Sequence, residues 1–223
     1  MSPDHFTWDF GAFFRYLPFL LRGMQVTVEV SLEAMVVGTA VGLLVALVRL
    51  SPLRPLRWIA AFYVDFLRST PLLIQLVWVF FALPILIGGS LPPVIAAVLT
   101  LGAYSGAYLA EIFRSGIMSI AAGQRHAALA LGMTGAQALR RIILPQAVVR
   151  MLPPIASTFI TLVKDSSLVS LISVSELMWA AQSLSAISLR PVEILTGTGL
   201  LYVALCYPLS LLSELIRRRL LAV

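Results

Sequence analysis

The chain has 223 residues, 60% of them hydrophobic and only 12% charged, with a mean hydropathy of +0.97, which is too apolar for a domain whose whole surface must face water. Disordered, collagen-like and nucleic-acid-binding readings are excluded, and the formal charge of +6 is read as loop arginines facing anionic headgroups. A single cysteine, Cys206, leaves no intrachain disulfide, and no metal set accompanies it.

The N-terminus carries Asp4 and Asp9 before any basic residue, so no cleaved signal peptide is expected. The first span is predicted over about 23–48, with Glu29 and Glu33 one turn apart on one face and Arg49, Arg54 and Arg57 closing it. No charge occurs from 69 to 110, more than one helix of roughly 20 residues needs. The cluster Gly88, Gly89, Ser90, Pro92 and Pro93 divides this stretch into spans at about 58–87 and 94–113. A fourth, irregular span covers about 152–175 and meets Lys164 and Asp165 on the way; a fifth, about 194–216, ends at Arg217, Arg218 and Arg219. The fold class is all-α, a polytopic membrane protein of five transmembrane helices in one domain.

Five spans place the termini on opposite sides. Arg49, Arg54, Arg57, Arg114, Arg125, Arg140, Arg141, Arg150 and the three tail arginines fall on one side, against Arg15, Arg22 and Arg190 on the other. The positive-inside rule therefore predicts an external N-terminus and a cytoplasmic C-terminus.

The cytoplasmic loop of about 115–150 is predicted to form a bracket of two short helices. Gln124 to Leu131 is rich in Ala and Leu, Gly132 is placed to cap it, and Thr134 with Gln137 matches a capping box. The second helix is expected to carry Arg140 and Arg141 on its last turn and to stop at Leu144 and Pro145. Such a bracket docks a partner, or simply packs under the bundle.

At membrane depth, Asp65 and Arg68 share a helical face, and Pro71 breaks the hydrogen-bond ladder one turn later. This span either lines a path, or Arg68 snorkels to the surface beside Asp65. Lys164, Asp165, Ser166 and Ser167 offer a cation, an anion and hydroxyls, as a zwitterion requires, or they hold neighbouring helices together. Thr70, Gln75 and Glu176 are further candidates for the path, whereas Glu29 and Glu33 read as an interfacial face. Gly102 and Gly106 form a GxxxG packing site. Trp8, Trp58 and Trp179 read as interfacial anchors, and His5 and His126 are too far apart in topology to share a metal.

Gly123-Gln124-Arg125-His126-Ala127-Ala128-Leu129-Ala130-Leu131-Gly132-Met133 with Ile142-Ile143-Leu144-Pro145-Gln146-Ala147 resembles the EAA loop of permease subunits of ATP-binding cassette importers, in the polar amino-acid uptake branch. Phe66 to Gln75, Glu111 to Ile117 and Lys164 to Leu168 follow the same family's order along the chain. The resemblance implies the type I importer transmembrane fold in the bacterial inner membrane, with a coupling helix in which His126, Ala127, Ala128, Gly132, Arg140, Arg141, Leu144 and Pro145 meet a cytoplasmic ATPase dimer. It also implies a second permease subunit, identical or paralogous, an external solute-binding protein and an amino-acid substrate. His126 departs from the pattern, standing where the family's name-giving glutamate is found.

No GxxxxGK[ST] sequence and no Rossmann fingerprint occur in the chain, so the chain is expected to be no enzyme and to bind no cofactor itself, ATP and Mg being used by the partner. A membrane enzyme built on Lys164, Asp165 and Ser166 lacks a histidine to activate the serine. An ion-coupled secondary transporter is the alternative, distinguished by working without an ATPase.

Overall fold

The computed structural model describes residues 9–221; Asp4, His5 and Trp8 lie outside that range. The described residues form helices joined by short turns, and the all-α class expected from composition is the one observed. Among the described residues, four helices are long and apolar enough to cross a membrane, five if one bent pair counts as a span.

Helix α1 runs over Gly11–Leu50, about 60 Å at the usual helical rise. It starts twelve residues before the expected Gly23, because its first turns have a tertiary partner that a hydropathy profile does not see. Phe13 and Leu20 are buried against Leu177, Leu184 and Ile194, and a Cβ at Gly197 would lie 2.2 Å from the Phe13 ring. Further along, Gly38 and Gly42 meet Gly102 and Gly106 of helix α5 (Pro93–Met118). A Cβ at Gly42 would stand 2.9 Å from the Gly106 carbonyl oxygen, so the backbones touch. Only the α5 half of this glycine contact was read from sequence.

The expected span over 58–87 is broken. Helix α2 (Arg54–Ser69) and the segment made of α3 (Leu72–Val77), a π turn (Trp78–Ala82) and α4 (Leu83–Ile87) meet at 106°. Pro71 has no N–H for the Leu67 carbonyl. The Gln75 side-chain amide donates instead to Leu67 O at 2.8 Å and to Thr70 O at 2.9 Å, while the Thr70 hydroxyl donates to Phe66 O at 2.8 Å. The break is thereby satisfied internally, as an apolar medium demands. Gly88, at φ +67°, ends α4.

Helix α6 (Ala122–Ala130) ends in a Schellman motif: Gly132, at φ +80°, donates to Leu129 O at 3.0 Å, and Met133 donates to Ala128 O at 3.1 Å. The capping box is present, with Thr134 N donating to Gln137 Oε1 at 2.8 Å and Gln137 N to Thr134 Oγ1 at 3.3 Å. The expected stop at Leu144 and Pro145 is not. Helix α7 (Gly135–Ala138) passes through a π turn (Leu139–Ile143) directly into α8 (Leu144–Asp165). The wide turn sits just ahead of Pro145, in the first turn of α8, and makes room for its ring and missing donor, so the proline does not end the helix.

Helix α8 gives way at Asp165 to a 3-10 segment, Ser166–Ile172, closed by Ser173 at φ +63°, the irregularity expected around Lys164. Helix α9 (Leu177–Ser188) was not anticipated: its sequence is too short to span and carries no charge, so nothing in composition separates it from a connector. Helix α10 runs over Pro191–Leu221.

One core joins the two broken segments, with Leu72 and Leu76 of α3 and Val169 and Ile172 of the 3-10 segment packed on Ala97 and Leu101 of α5. Another seats α8 through Ala147 and Met151 against Leu109 and Phe113 of α5 and Ala46 of α1.

Candidate translocation site and coupling bracket

Polar residues at helical spacing face one another across α5 and α8. Tyr104, Ser105 and Tyr108 on α5, with Ser157, Thr158, Thr161 and Asp165 on α8, line a cavity of about 270 Å³. The i, i+4, i+8 spacing of Ser157, Thr161 and Asp165 places them on one face of α8. The Tyr104 and Tyr108 hydroxyls stand 3.2 Å apart, and the Arg68 guanidinium lies 5.1 Å from the centre of the Tyr108 ring, within cation–π range. Asp65 is exposed and makes no ion pair among the described residues. In place of the Asp65 pairing that their shared face would allow, Arg68 stacks on α5. A half-buried carboxylate, two phenols, four aliphatic hydroxyls and a nearby guanidinium can hold a small molecule carrying both charges.

The sequence candidates are distributed differently from their order in the chain. Asp165 enters the cavity, whereas adjacent Lys164 is exposed and does not line it. Ser166 is buried and donates to Val163 O at 2.8 Å; the Ser167 carbonyl accepts from the Ser170 hydroxyl at 2.7 Å, so both belong to the end of α8 and the 3-10 segment. Thr70 and Gln75 border a second hollow of about 560 Å³ whose walls include Phe66, Ile74, Trp78 and Leu99, and Pro71 makes the break beside it. Glu176, fully buried, caps α9: it accepts from Trp179 N at 2.7 Å and Tyr202 Oη at 3.0 Å, with Thr27 Oγ1 at 3.2 Å. Thr27 also accepts from Leu177 N at 3.1 Å, so this node ties α9 to α1 and α10. Tyr104, Ser105, Tyr108, Ser157, Thr158 and Thr161 were missed; a polar stripe at four-residue intervals along an otherwise apolar helix was the available signal.

On the bracket, His126, Ala127 and Gly132 are exposed while Ala128 is buried; Arg140, Arg141 and Pro145 are exposed and Leu144 is half-buried. Leu131 at the tip is 81% exposed. The C-terminal ends of α1 and α5 are joined by Glu111, which bridges Arg49 at 2.5 Å and Arg114. Arg150 of α8 donates to Ser119 O at 2.7 Å.

A broken-helix bundle with a polar cavity and a projecting bracket defines an integral membrane transport subunit. Residues 38–222 match the family model described as binding-protein-dependent transport system inner membrane component, and the chain belongs to that family. It is 36% identical to the arginine transport system permease protein ArtQ of Bacillus subtilis (strain 168), over 95% of this chain and 97% of that one. Identity is 38% to the L-cystine transport system permease protein TcyB of the same organism, covering 92% and 88%. A chain in the crystal structure of an amino acid ABC transporter with histidines superposes with a TM-score of 0.91 at 34% identity, covering 96% of this chain and all (100%) of that one. The inward-facing MetNI methionine ABC transporter shares the fold, with a TM-score of 0.73 at 24% identity over 92% and 98%. The resemblance read in the sequence, to permeases of amino-acid ABC importers, is what these comparisons return.

Proposed function

We propose that the chain moves polar amino acids across the inner membrane by alternating access, with a separate cytoplasmic ATPase seated on the bracket supplying the energy from ATP and Mg. The observation that carries this reading is the continuous helical path from the Thr134 cap through α7, the π turn and α8 to Asp165. A displacement of the bracket is carried along that path to the cavity wall. Asp165 is assigned the substrate ammonium and Arg68 the carboxylate, with the tyrosine pair between them. By the arginine distribution the bracket and C-terminus are cytoplasmic and the N-terminus external, where a solute-binding protein delivers substrate.

A second permease, identical or paralogous, completes the path. Support comes from Glu29 and Glu33, which are exposed near the middle of α1 rather than at the end where an interfacial face was expected, because the helix begins at Gly11; carboxylates so far inside an apolar helix face protein or water rather than acyl chains. The test is uptake in cells or proteoliposomes with the co-purifying ATPase. Gly132→Asp, which forces a side chain into a left-handed position on the docking tip, is expected to insert normally and abolish ATP-dependent uptake. Normal uptake by that variant overturns the docking assignment. Uptake by the chain alone without ATP favours the ion-coupled transporter.

A further inference from the structure

Basic residues at the inner end of the bundle fall into two groups. Some on the bundle helices find acids of their own chain, Arg49 and Arg114 at Glu111 and Arg217 and Arg218 at Glu214 at 2.7 and 2.8 Å, whereas Arg54 and Arg57 of α2 and Arg150 of α8 make no ion pair among the described residues. The bracket has no such partner. No Asp or Glu occurs anywhere from 112 to 164, and Arg125, His126, Arg140 and Arg141 are exposed without an ion pair among the described residues. Three arginines beside a histidine, gathered on a short helix and a π turn, leave a positive field with no internal counterion.

We infer that the bracket docks on an acidic surface of the cytoplasmic ATPase, whose carboxylates face Arg125, His126, Arg140 and Arg141. This rests on the docking reading above and adds the chemistry of the partner. Charge complementarity steers encounter and fixes register, and like charges across the interface are excluded. A protein face accounts for the bracket better than lipid headgroups do. Added Cβ atoms at Gly123, Gly132 and Gly135 would meet nothing, and Leu129 and Leu131 are exposed beside the charges. This mixed apolar and cationic tip, with a fixed bend, matches a shaped groove rather than a fluid layer of phosphates.

The test uses the full chain in nanodiscs with the ATPase that co-purifies with it. Arg140→Glu/Arg141→Glu is expected to weaken ATPase binding at least about tenfold, and wild-type affinity is expected to fall as salt is raised, since these charges are exposed. Arg54→Glu/Arg57→Glu, equally basic positions on α2 away from the bracket, is the control and is expected to bind as wild type. Lys164 is the chain's only lysine, so Arg125→Lys or Arg140→Lys places a new amine on the bracket. A carbodiimide activates a carboxylate of the ATPase as an O-acylisourea; the lysine amine attacks its carbonyl, the urea leaves, and an amide joins the two proteins. Mass spectrometry is expected to find that amide on an Asp or Glu of the ATPase. A bound ATPase that ignores bracket charge reversal and gives no crosslink overturns the acidic surface while leaving docking intact. Charge reversal that strips co-purifying anionic lipid but leaves ATPase affinity unchanged overturns it in favour of headgroups. Failure of the wild-type chain to hold any ATPase overturns the docking reading itself.

Discussion

Two carboxylates set apart in the chain by eleven residues do different work. Glu176 is committed to backbone and side-chain donors inside the protein. Removing it leaves buried donors without an acceptor, at about 1–3 kcal/mol for each unsatisfied group. Glu176→Ala is therefore expected to lower the melting temperature in detergent sharply, and Glu176→Gln, which keeps an acceptor oxygen, to lose much less. Asp165 faces the cavity and makes no comparable set of hydrogen bonds. Asp165→Asn is expected to fold with nearly unchanged melting while substrate half-saturation in the uptake assay rises about tenfold or more, the size of one charge-assisted contact. Equal transport constants for Asp165→Asn and wild type would remove Asp165 from the substrate path. Sequence named Asp165 as a candidate because a carboxylate in an apolar run is visible locally, and the structure puts it in the cavity wall. Sequence alone could not tell Asp165 from Glu176, since that distinction is made by Thr27 and Tyr202, 149 and 26 residues from Glu176.

At the scale of elements, what was legible depended on how far the determining contact lies along the chain. The Gly132 turn and the Thr134–Gln137 box are decided within a few residues and were read correctly. The early start of α1, fixed by Phe13 against Gly197, and the existence of α9, fixed by its packing on α1, depend on contacts 150 or more residues apart in the chain. Prolines were the hardest signal: Pro71 breaks a span and Pro145 does not, because one is followed by a capping glutamine and the other preceded by a π turn. Gln75 is thus a structural clasp. Gln75→Leu is expected to leave the Leu67 and Thr70 carbonyls unpaired in an apolar setting and to cost about 2–4 kcal/mol. A melting point unchanged from wild type would show that the carbonyls find another donor. Gly42→Leu is expected to cost about 3 kcal/mol or more, since its Cβ would press on the Gly106 backbone rather than on a side chain that can rotate away.

For the whole molecule, the α1–α5 pair and α8 are held in different ways. Helices α1 and α5 are locked by backbone contact at their glycines and by the Arg49–Glu111 bridge, so neither slides on the other without losing both. Helix α8 is seated by the side chains of Ala147, Met151 and Leu162 and by two hydrogen bonds from Arg150 to Ser119, attachments through side chains that repacking can follow. If the rigid link between bracket and cavity transmits the work, its stiffness rather than its composition matters. Three glycines inserted between Gln146 and Ala147 leave the bracket and the packed part of α8 intact but cost about 1 kcal/mol of helix propensity each, enough to soften the joint. That insertion is expected to retain ATPase binding and basal hydrolysis while losing uptake and any stimulation of hydrolysis by substrate. Three alanines at the same place restore a stiff helix but turn the bracket by about 300° at 3.6 residues per turn, so they are expected to abolish ATPase docking instead. Uptake surviving the glycine insertion would mean that the bracket acts on the cavity through α5 and the Ser119–Arg150 contact, and not along α8.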